Sequence, residues 1–187
     1  MEVYFDNSAT TRCYESVKDI VVKTMMEDYG NPSAMHRKGV EAENYVKKSA
    51  GIIAGILKVQ EKEILFTSGG TESNNLAILG TALANRRSGN HIITSCIEHA
   101  SVYNTTAFLE EQGFRVTYLP VDHNGHVSPE DLRAAICDDT ILVSIMYVNN
   151  EMGAVEPIAK LAQVLRETKP QAYFHADAIQ AYGKYVI

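Results

Sequence analysis

The sequence predicts an α/β fold, a mainly parallel sheet with helices on both faces. Short apolar runs alternate along the chain with longer amphipathic stretches, which is typical of βαβ units. The run 141–148 is almost continuously apolar, as expected of a central strand that is buried on both sides. The composition, 45% apolar and 21% charged residues, is that of an ordinary globular protein able to bury a core.

The elements follow one another in a regular order. A helical pattern over 15–27 ends in the turn residues 29–33, and a second amphipathic segment covers 37–57. Ser128 is a suitable N-cap before Pro129, and Gly113 is placed where a helix would stop. The predicted strands are 64–66, 92–93, 116–119, 141–148 and 172–174. The predicted helices between them are 73–87, 101–112, 129–136 and 158–168.

Charge and cysteine content argue against several classes of protein. The formal net charge of −6 disfavours a nucleic-acid groove or an anionic membrane surface. No apolar run reaches the length of a membrane span, and the N-terminus lacks the apolar region of a signal peptide, so we expect a cytoplasmic protein. Cys13, Cys96 and Cys137 form no CxxC pair, which favours neither a disulfide framework nor a metal site. We interpret Cys96 as a small, semi-buried residue.

A glycine pair follows the predicted strand 64–66 and precedes a helix. Backbone N–H groups at such a helix N-terminus can bind an anion, and the hydroxyls of Ser68 and Thr71 lie nearby in sequence. The segment is neither a dinucleotide-binding fingerprint nor a Walker A loop, since no lysine follows Gly70. A tight glycine turn capped by Thr71 is the structural alternative.

Three further polar segments follow predicted strands, where open α/β sheets bind their ligands. His99 could be a base or a flat surface for stacking; as a structural alternative it could be a helix cap. Residues 149–151 bring two amides and a carboxylate, of which capping would explain only one. Asp177 and Gln180 are three residues apart and can point the same way. A carboxylate at this position could pair with a buried cation such as the protonated ring nitrogen of pyridoxal 5′-phosphate (PLP). The structural alternative is that Asp177 is a helix N-cap.

Taken together, these segments resemble the cysteine desulfurases of the NifS/IscS type, which are class V, fold type I PLP enzymes. The resemblance covers essentially the whole chain. The matching segments are 4–11, 30–33 with His36, 68–74, 98–99, 139–151 and 175–180. It implies the large, PLP-binding domain of the aminotransferase-like fold.

The resemblance also implies a role for individual residues around the cofactor. Thr71 and the backbone of Gly70 would hold the phosphate, and His99 would stack on the ring and take part in proton transfer. Asp177 would pair with the ring nitrogen.

Four more residues receive roles in the same way. Gln180 would contact the phenolic oxygen of the ring, and Asn150 would lie beside the ring, near the substrate carboxylate. Asn7 and His36 would lie on loops near the mouth of the active site and contact the substrate.

The family reaction converts L-cysteine to alanine and an enzyme persulfide, whose sulfur passes to an acceptor or scaffold protein for iron–sulfur cluster, thio-cofactor or tRNA biosynthesis. The family's cofactor-binding lysine would fall past Ile187, together with the nucleophilic cysteine and the C-terminal small domain. We therefore expect residues 1–14 to be an N-terminal segment and 15–187 to be an incomplete large domain. This fragment is predicted to be inactive alone, to bind PLP weakly and to expose apolar faces that promote association.

Other functions remain open at this point. A selenocysteine lyase or another class V aminotransferase would share the same motifs, and the full-length protein would be a homodimer in each case. A non-catalytic scaffold with the PLP fold is an alternative from a different class. A nucleotide-binding module is a third, although His99 and Asp177 argue against it.

Overall fold

The computed structural model describes residues 1–185, and the chain divides into two compact units. The first unit is Met1–Phe66 and the second begins at Thr67. The predicted division into residues 1–14 and 15–187 stays a prediction. No helix among the described residues is long and apolar enough to cross a membrane.

The first unit consists of two helices and a short 3-10 turn. Helix α1 is Glu15–Met26, α2 is Arg37–Leu57, and the 3-10 turn is Glu61–Glu63. The side chain of His36 caps α2, since its Nδ1 accepts a hydrogen bond from the Gly39 N–H at 3.3 Å. Helix α1 buries no residue, and α2 buries only small ones, namely Gly39, Ala42, Ala50 and Ala54. The large apolar side chains of both helices are therefore mostly left at the surface.

The predicted strand 64–66 is wrong. These residues are extended but join no sheet, and Leu65 and Phe66 are 69% and 50% exposed. A short apolar run becomes a strand only where a neighbouring edge offers hydrogen-bond partners. Within residues 1–185 this segment pairs with no strand.

The second unit is a four-stranded parallel sheet with helices on both faces, which confirms the predicted fold class. The strands, in the order β2-β1-β3-β4, are all parallel to their neighbours. Their bounds are β1 His91–Ser95, β2 Arg115–Leu119, β3 Thr140–Met146 and β4 Tyr173–Asp177. The helices are α3 Gly70–Ala84, α4 Ala100–Glu111, α5 Pro129–Ala135 and α6 Ile158–Thr168.

Adjacent residues of each strand face different helices because strand side chains alternate between the two faces. Ile92 and Leu142 pack with α3 and α4, whereas Ile93 and Val143 pack with α5 and α6. Every residue of the predicted central strand, β3, is buried. The sheet thus separates two apolar clusters.

The helix ends follow the signals in the sequence. Ser128 caps α5 by accepting from the N–H groups of Glu130 and Asp131 at 3.1 and 3.2 Å. Gly113 has a φ of +88° directly after α4, a backbone conformation that favours glycine. Both predictions are confirmed.

The strand order locates the ligand-binding end of the sheet. The helix after β1 lies on one face and the helix after β3 on the other, so the connections diverge between these neighbouring strands. Ligands bind at such a switch point, outside the carboxyl ends of the strands. Four of the predicted site residues lie at this end: His99 follows β1, Asn150 follows β3, and Asp177 ends β4, with Gln180 after it.

Candidate functional site

The N-terminus of α3 is open to a ligand. Gly69 is its N-cap, no side chain caps it, and a Cβ on Gly69 would meet nothing within 4 Å. The N–H groups of the first turn have no partner within the helix, and the helix dipole favours an anion there. Glu72 does not fill this position, since its carboxylate accepts from the N–H and hydroxyl of Ser68, both at 2.6 Å.

Gly70 lies tightly against the segment that follows β4. A Cβ at this position would come 1.7 Å from Cδ1 of Ile179, so the glycine allows this close approach. Thr71 lies inside α3 and is exposed, so it does not cap the glycine turn and the structural alternative for this residue is wrong. A cleft of about 300 Å³ adjoins it between α3 and α4. Its lining residues are Thr71, Asn75, Leu79, His99, Ala100, Ser101, Asn104, Thr105 and Phe108.

His99 caps α4 and also lines this cleft. Its Nδ1 accepts from the Ser101 N–H at 3.1 Å and lies 2.9 Å from the Ser101 hydroxyl. An Nδ1 that accepts a backbone N–H carries no proton, so in the neutral ring the proton is on Nε2. The capping alternative for His99 is therefore correct, and it leaves the ring face and Nε2 available.

Asn74 is a site residue to which the sequence assigned no role. It is 3% exposed, and its amide donates to the Ser101 hydroxyl at 2.9 Å and to Oδ2 of Asp177 at 2.8 Å. A continuous chain of hydrogen bonds thus joins His99 to Asp177. In the sequence, this role is signalled only by an asparagine one helical turn after Gly70 and Thr71. An asparagine at that position is equally typical of a residue on the protein surface.

Asp177 is the last residue of β4 and is 6% exposed. Its Oδ1 accepts from the Ile179 N–H at 3.0 Å, so the carboxylate also orders the turn that follows, although it is no helix cap. No lysine, arginine or histidine forms an ion pair with it in the described part of the chain. Gln180 lies in that turn and accepts from Lys184 Nζ at 3.1 Å.

Asn149 and Asn150, which follow β3, differ in their surroundings. The Asn149 side chain is the buried anchor: its Oδ1 accepts from the N–H groups of Glu151 and Met152, and its Nδ2 donates to the Ile97 carbonyl at 3.0 Å. Asn150 is half-buried. The helix-capping alternative for Asn149 is wrong, because residues 150–152 form a turn and not a helix. Asn149 instead orders this turn, and Asn150 is available to a ligand.

Glu98 is a buried carboxyl that connects β1 and β3. Its Oε1 accepts from the Ser95 hydroxyl at 2.6 Å and the Met146 N–H at 2.9 Å, whereas its buried Oε2 has no partner. Burial raises the pKa of Glu98 to about 7, and the nearby carboxylates of Asp177 and Glu156 add to the effect, against the two hydrogen bonds. The raised pKa moves the titration of this carboxyl from its usual acidic range to near neutral pH.

Other predicted residues lie outside this network. Asn7 and His36 belong to the first unit, where Asn7 accepts from the Thr11 hydroxyl at 2.9 Å and His36 caps α2. Their active-site roles stay predictions. Cys96 is exposed, so its interpretation as semi-buried is wrong: β1 ends at Ser95, and Cys96 lies on the turn beyond the strand. Residues 1–185 contain no cluster of histidine, cysteine and carboxylate side chains suited to a metal ion.

Known proteins similar to this chain include cysteine desulfurases. It is 51% identical over 181 residues to a cysteine desulfurase IscS from Methanosarcina thermophila, covering 97% of this chain and 44% of that protein. It is 48% identical over 181 residues to a putative cysteine desulfurase IscS 1 from Bacillus subtilis, covering 97% and 47%. The chain thus spans about half the length of the curated relatives it matches.

Solved structures show the same likeness. A NifS-like protein superposes with a TM-score of 0.96 at 38% identity, over 100% of this chain and 51% of that one. A structure of SspA in complex with cysteine has a TM-score of 0.93 at 41% identity, over 98% and 52%. The sequence also matches the aminotransferase class-V family over residues 3–187. The chain belongs to the aminotransferase class-V family.

Proposed function

We propose that this chain supplies the ring- and phosphate-binding side of a PLP site in a cysteine desulfurase. The observation that carries the proposal is Asp177, a buried carboxylate at the carboxyl end of β4 that has no cationic partner within residues 1–185. A buried charge is costly unless it is paired. The protonated ring nitrogen of PLP would be the missing cation.

The opposite end of the cofactor fits the N-terminus of α3. The phosphate would accept hydrogen bonds from the backbone N–H of Gly70 and from the Thr71 hydroxyl, at the positive end of the helix dipole. Gly69 leaves the approach open, because nothing lies within 4 Å of the position of a Cβ. A nucleotide would use the same anion site, but it would leave Asp177 unpaired.

Between these ends lie the residues that would contact the ring. His99, held by Ser101, would place its imidazole face against the ring, and Gln180 and Asn150 would contact the phenolic oxygen and the substrate carboxylate. Bound PLP withdraws electrons from the carbon next to the substrate amine. With Nδ1 accepting from Ser101, His99 would exchange protons with the substrate through Nε2.

The substrate is proposed from the relatives. Those described above are named cysteine desulfurases, and the structure of SspA is a complex with cysteine. L-Cysteine is therefore the proposed substrate, with alanine and a persulfide as products and an acceptor or scaffold protein as the recipient of the sulfur. A cytoplasmic homodimer is the form proposed for the full-length protein.

A titration tests the cofactor site. We expect the chain to bind PLP without a covalent bond, more tightly than ATP, and the variant Asp177→Ala to lose this preference. Glu167→Gln, which removes an exposed carboxylate on α6, is the matched control and should keep it. Equal affinity for PLP and ATP, or unchanged PLP binding in Asp177→Ala, would refute the proposed site.

A second assay concerns turnover. Since the chain spans about half of its relatives' length, we infer that alone it releases no sulfide from L-cysteine. Sulfide release by the purified 187-residue chain, or borohydride trapping of PLP on one of its lysines, would contradict this inference. Release of selenide in preference to sulfide by the full-length protein would favour a selenocysteine lyase.

A further inference from the structure

Two groups proposed to contact the PLP ring are connected through a third residue that does not contact it. Asp177 and His99 belong to different strand ends, and Asn74 on α3 lies between them. This inference rests on the proposed function, because it concerns the same cofactor.

The direction of every hydrogen bond in this network follows from donors and acceptors. A carboxylate oxygen only accepts, so the Asn74 atom that lies 2.8 Å from Asp177 Oδ2 must be its amide nitrogen. That nitrogen has two hydrogens, and the second points to the Ser101 hydroxyl oxygen at 2.9 Å. The flipped amide would place two acceptors against each other, which fixes the orientation of Asn74.

The orientation of Asn74 determines the direction in which the Ser101 hydroxyl donates, which is toward His99. Because its oxygen accepts from Asn74, its own proton is free to point to His99 Nδ1 at 2.9 Å. The Ser101 backbone N–H donates to the same nitrogen at 3.1 Å. In the neutral ring, two donors directed at Nδ1 select the tautomer that carries its proton on Nε2.

We propose that Asn74 is the positioning residue of the cofactor site: its buried amide orients the Asp177 carboxylate and, through Ser101, fixes the tautomer of His99. It acts through these side chains and not on the ligand. Bulk water has little access to these groups, since Asn74, Ser101 and Asp177 are 3%, 7% and 6% exposed. Loss of the amide would therefore remove the donor to Oδ2 of Asp177 and to the Ser101 hydroxyl oxygen, while Oδ1 of Asp177 would keep its bond from the Ile179 N–H.

The first test compares PLP with its 1-deaza analogue, in which carbon replaces the ring nitrogen. Asn74→Leu keeps the volume of the side chain and removes both donors. We expect it to weaken PLP binding roughly tenfold, the size of one hydrogen bond to a charged group. Binding of the deaza analogue, which lacks the nitrogen that Asp177 recognises, should change little. An equal loss for both ligands would show a merely structural role and overturn the proposal.

The matched control is Asn85→Ala at the C-cap of the same helix. The side-chain amide of Asn85 donates to the Thr81 carbonyl at 2.8 Å and is not part of the network around Asp177. Both ligands should bind this variant as they bind the unchanged chain. If the unchanged chain binds neither ligand, the proposed function fails, and the inference about Asn74 is then decided by the second test.

The second test needs no cofactor. In the ¹⁵N spectrum of histidine-labelled chain, His99 is expected as the Nε2–H tautomer, with an Nδ1 resonance that shifts in Asn74→Leu but not in Asn85→Ala. Ser101→Ala keeps the hydrogen bond from Asn74 to Asp177. We expect this variant to shift the same resonance but to retain the preference for PLP over the deaza analogue. It replaces Asn74→Leu in this test if Asn74→Leu does not fold. An Nδ1–H tautomer in the unchanged chain, or a His99 spectrum indifferent to Asn74 and Ser101, would overturn the proposal.

Discussion

Glu98 should make the stability of this chain fall as the pH rises through neutrality. Its pKa is raised to about 7 in the folded chain, from 4.5 in the unfolded one, because burial disfavours the charged form. The stabilisation associated with the protonated form is fully present below pH 4.5 and is lost as the pH rises through 7. The difference between 4.5 and about 7 corresponds to roughly 3 kcal/mol at alkaline pH.

The perturbation is Glu98→Gln, which resembles the protonated acid and cannot ionise. Its side-chain oxygen can still accept from the Ser95 hydroxyl and the Met146 N–H. We expect the free energy of unfolding of Glu98→Gln, relative to that of the unchanged chain, to increase by roughly 2 to 3 kcal/mol between pH 5 and pH 8. Above pH 8 the unchanged chain contains a buried charge whose Oε2 has no donor, so Glu98→Gln should be the more stable of the two.

The assay is urea denaturation followed by circular dichroism at pH 5, 6, 7 and 8. Burial lowers the pKa values of His91, to about 4, and of His175, and these histidines favour the folded chain as the pH rises. They are present in both variants, so the difference between the two curves isolates Glu98. Glu167→Gln is the control: Arg133 and Gln163 hold the pKa of Glu167 below its usual value, so its effect should be constant over this range. The reasoning would be refuted if the difference in free energy of unfolding between Glu98→Gln and the unchanged chain were also constant from pH 5 to pH 8.

Three further predictions concern the ends and surfaces of the elements. Ser128→Ala should lower the free energy of unfolding by about 1 kcal/mol, measured by urea denaturation, because two N–H groups of α5 lose their acceptor; an unchanged midpoint would contradict this. Gly70→Ala should weaken PLP binding in the same titration as above, since the added methyl displaces Ile179; wild-type affinity would show that the close approach is unimportant. The exposed apolar side chains of α1, among them Met25 and Met26 at 71% and 73%, should cause concentration-dependent association in light scattering; a monomer at all concentrations would argue against it.

The sequence predicted the elements whose signals are local. Strand–helix alternation, the apolar run of β3 and the Ser128 cap depend on neighbouring residues, and the structure confirms them. The polar segments after the strands were also visible, because parallel strands bring their carboxyl ends to one edge of the sheet.

Predictions from local signals were wrong where the structure of a segment depends on residues elsewhere in the chain. Residues 64–66 have the composition of a strand, but a strand needs an edge to pair with, and this segment pairs with none within residues 1–185. The exposure of Cys96 likewise depended on the position at which β1 ends.

The sequence by itself determined the parallel α/β architecture, the family resemblance and the identity of the residues proposed to touch PLP. Only the tertiary structure decided how those residues are held. Asn74 reaches Ser101 and Asp177 across 27 and 103 residues of sequence, and Glu98 reaches Met146 across 48. Such contacts follow from the order β2-β1-β3-β4 and the packing of α3 on it, because hydrogen bonds and pKa shifts depend on distances in space and not on separations along the chain.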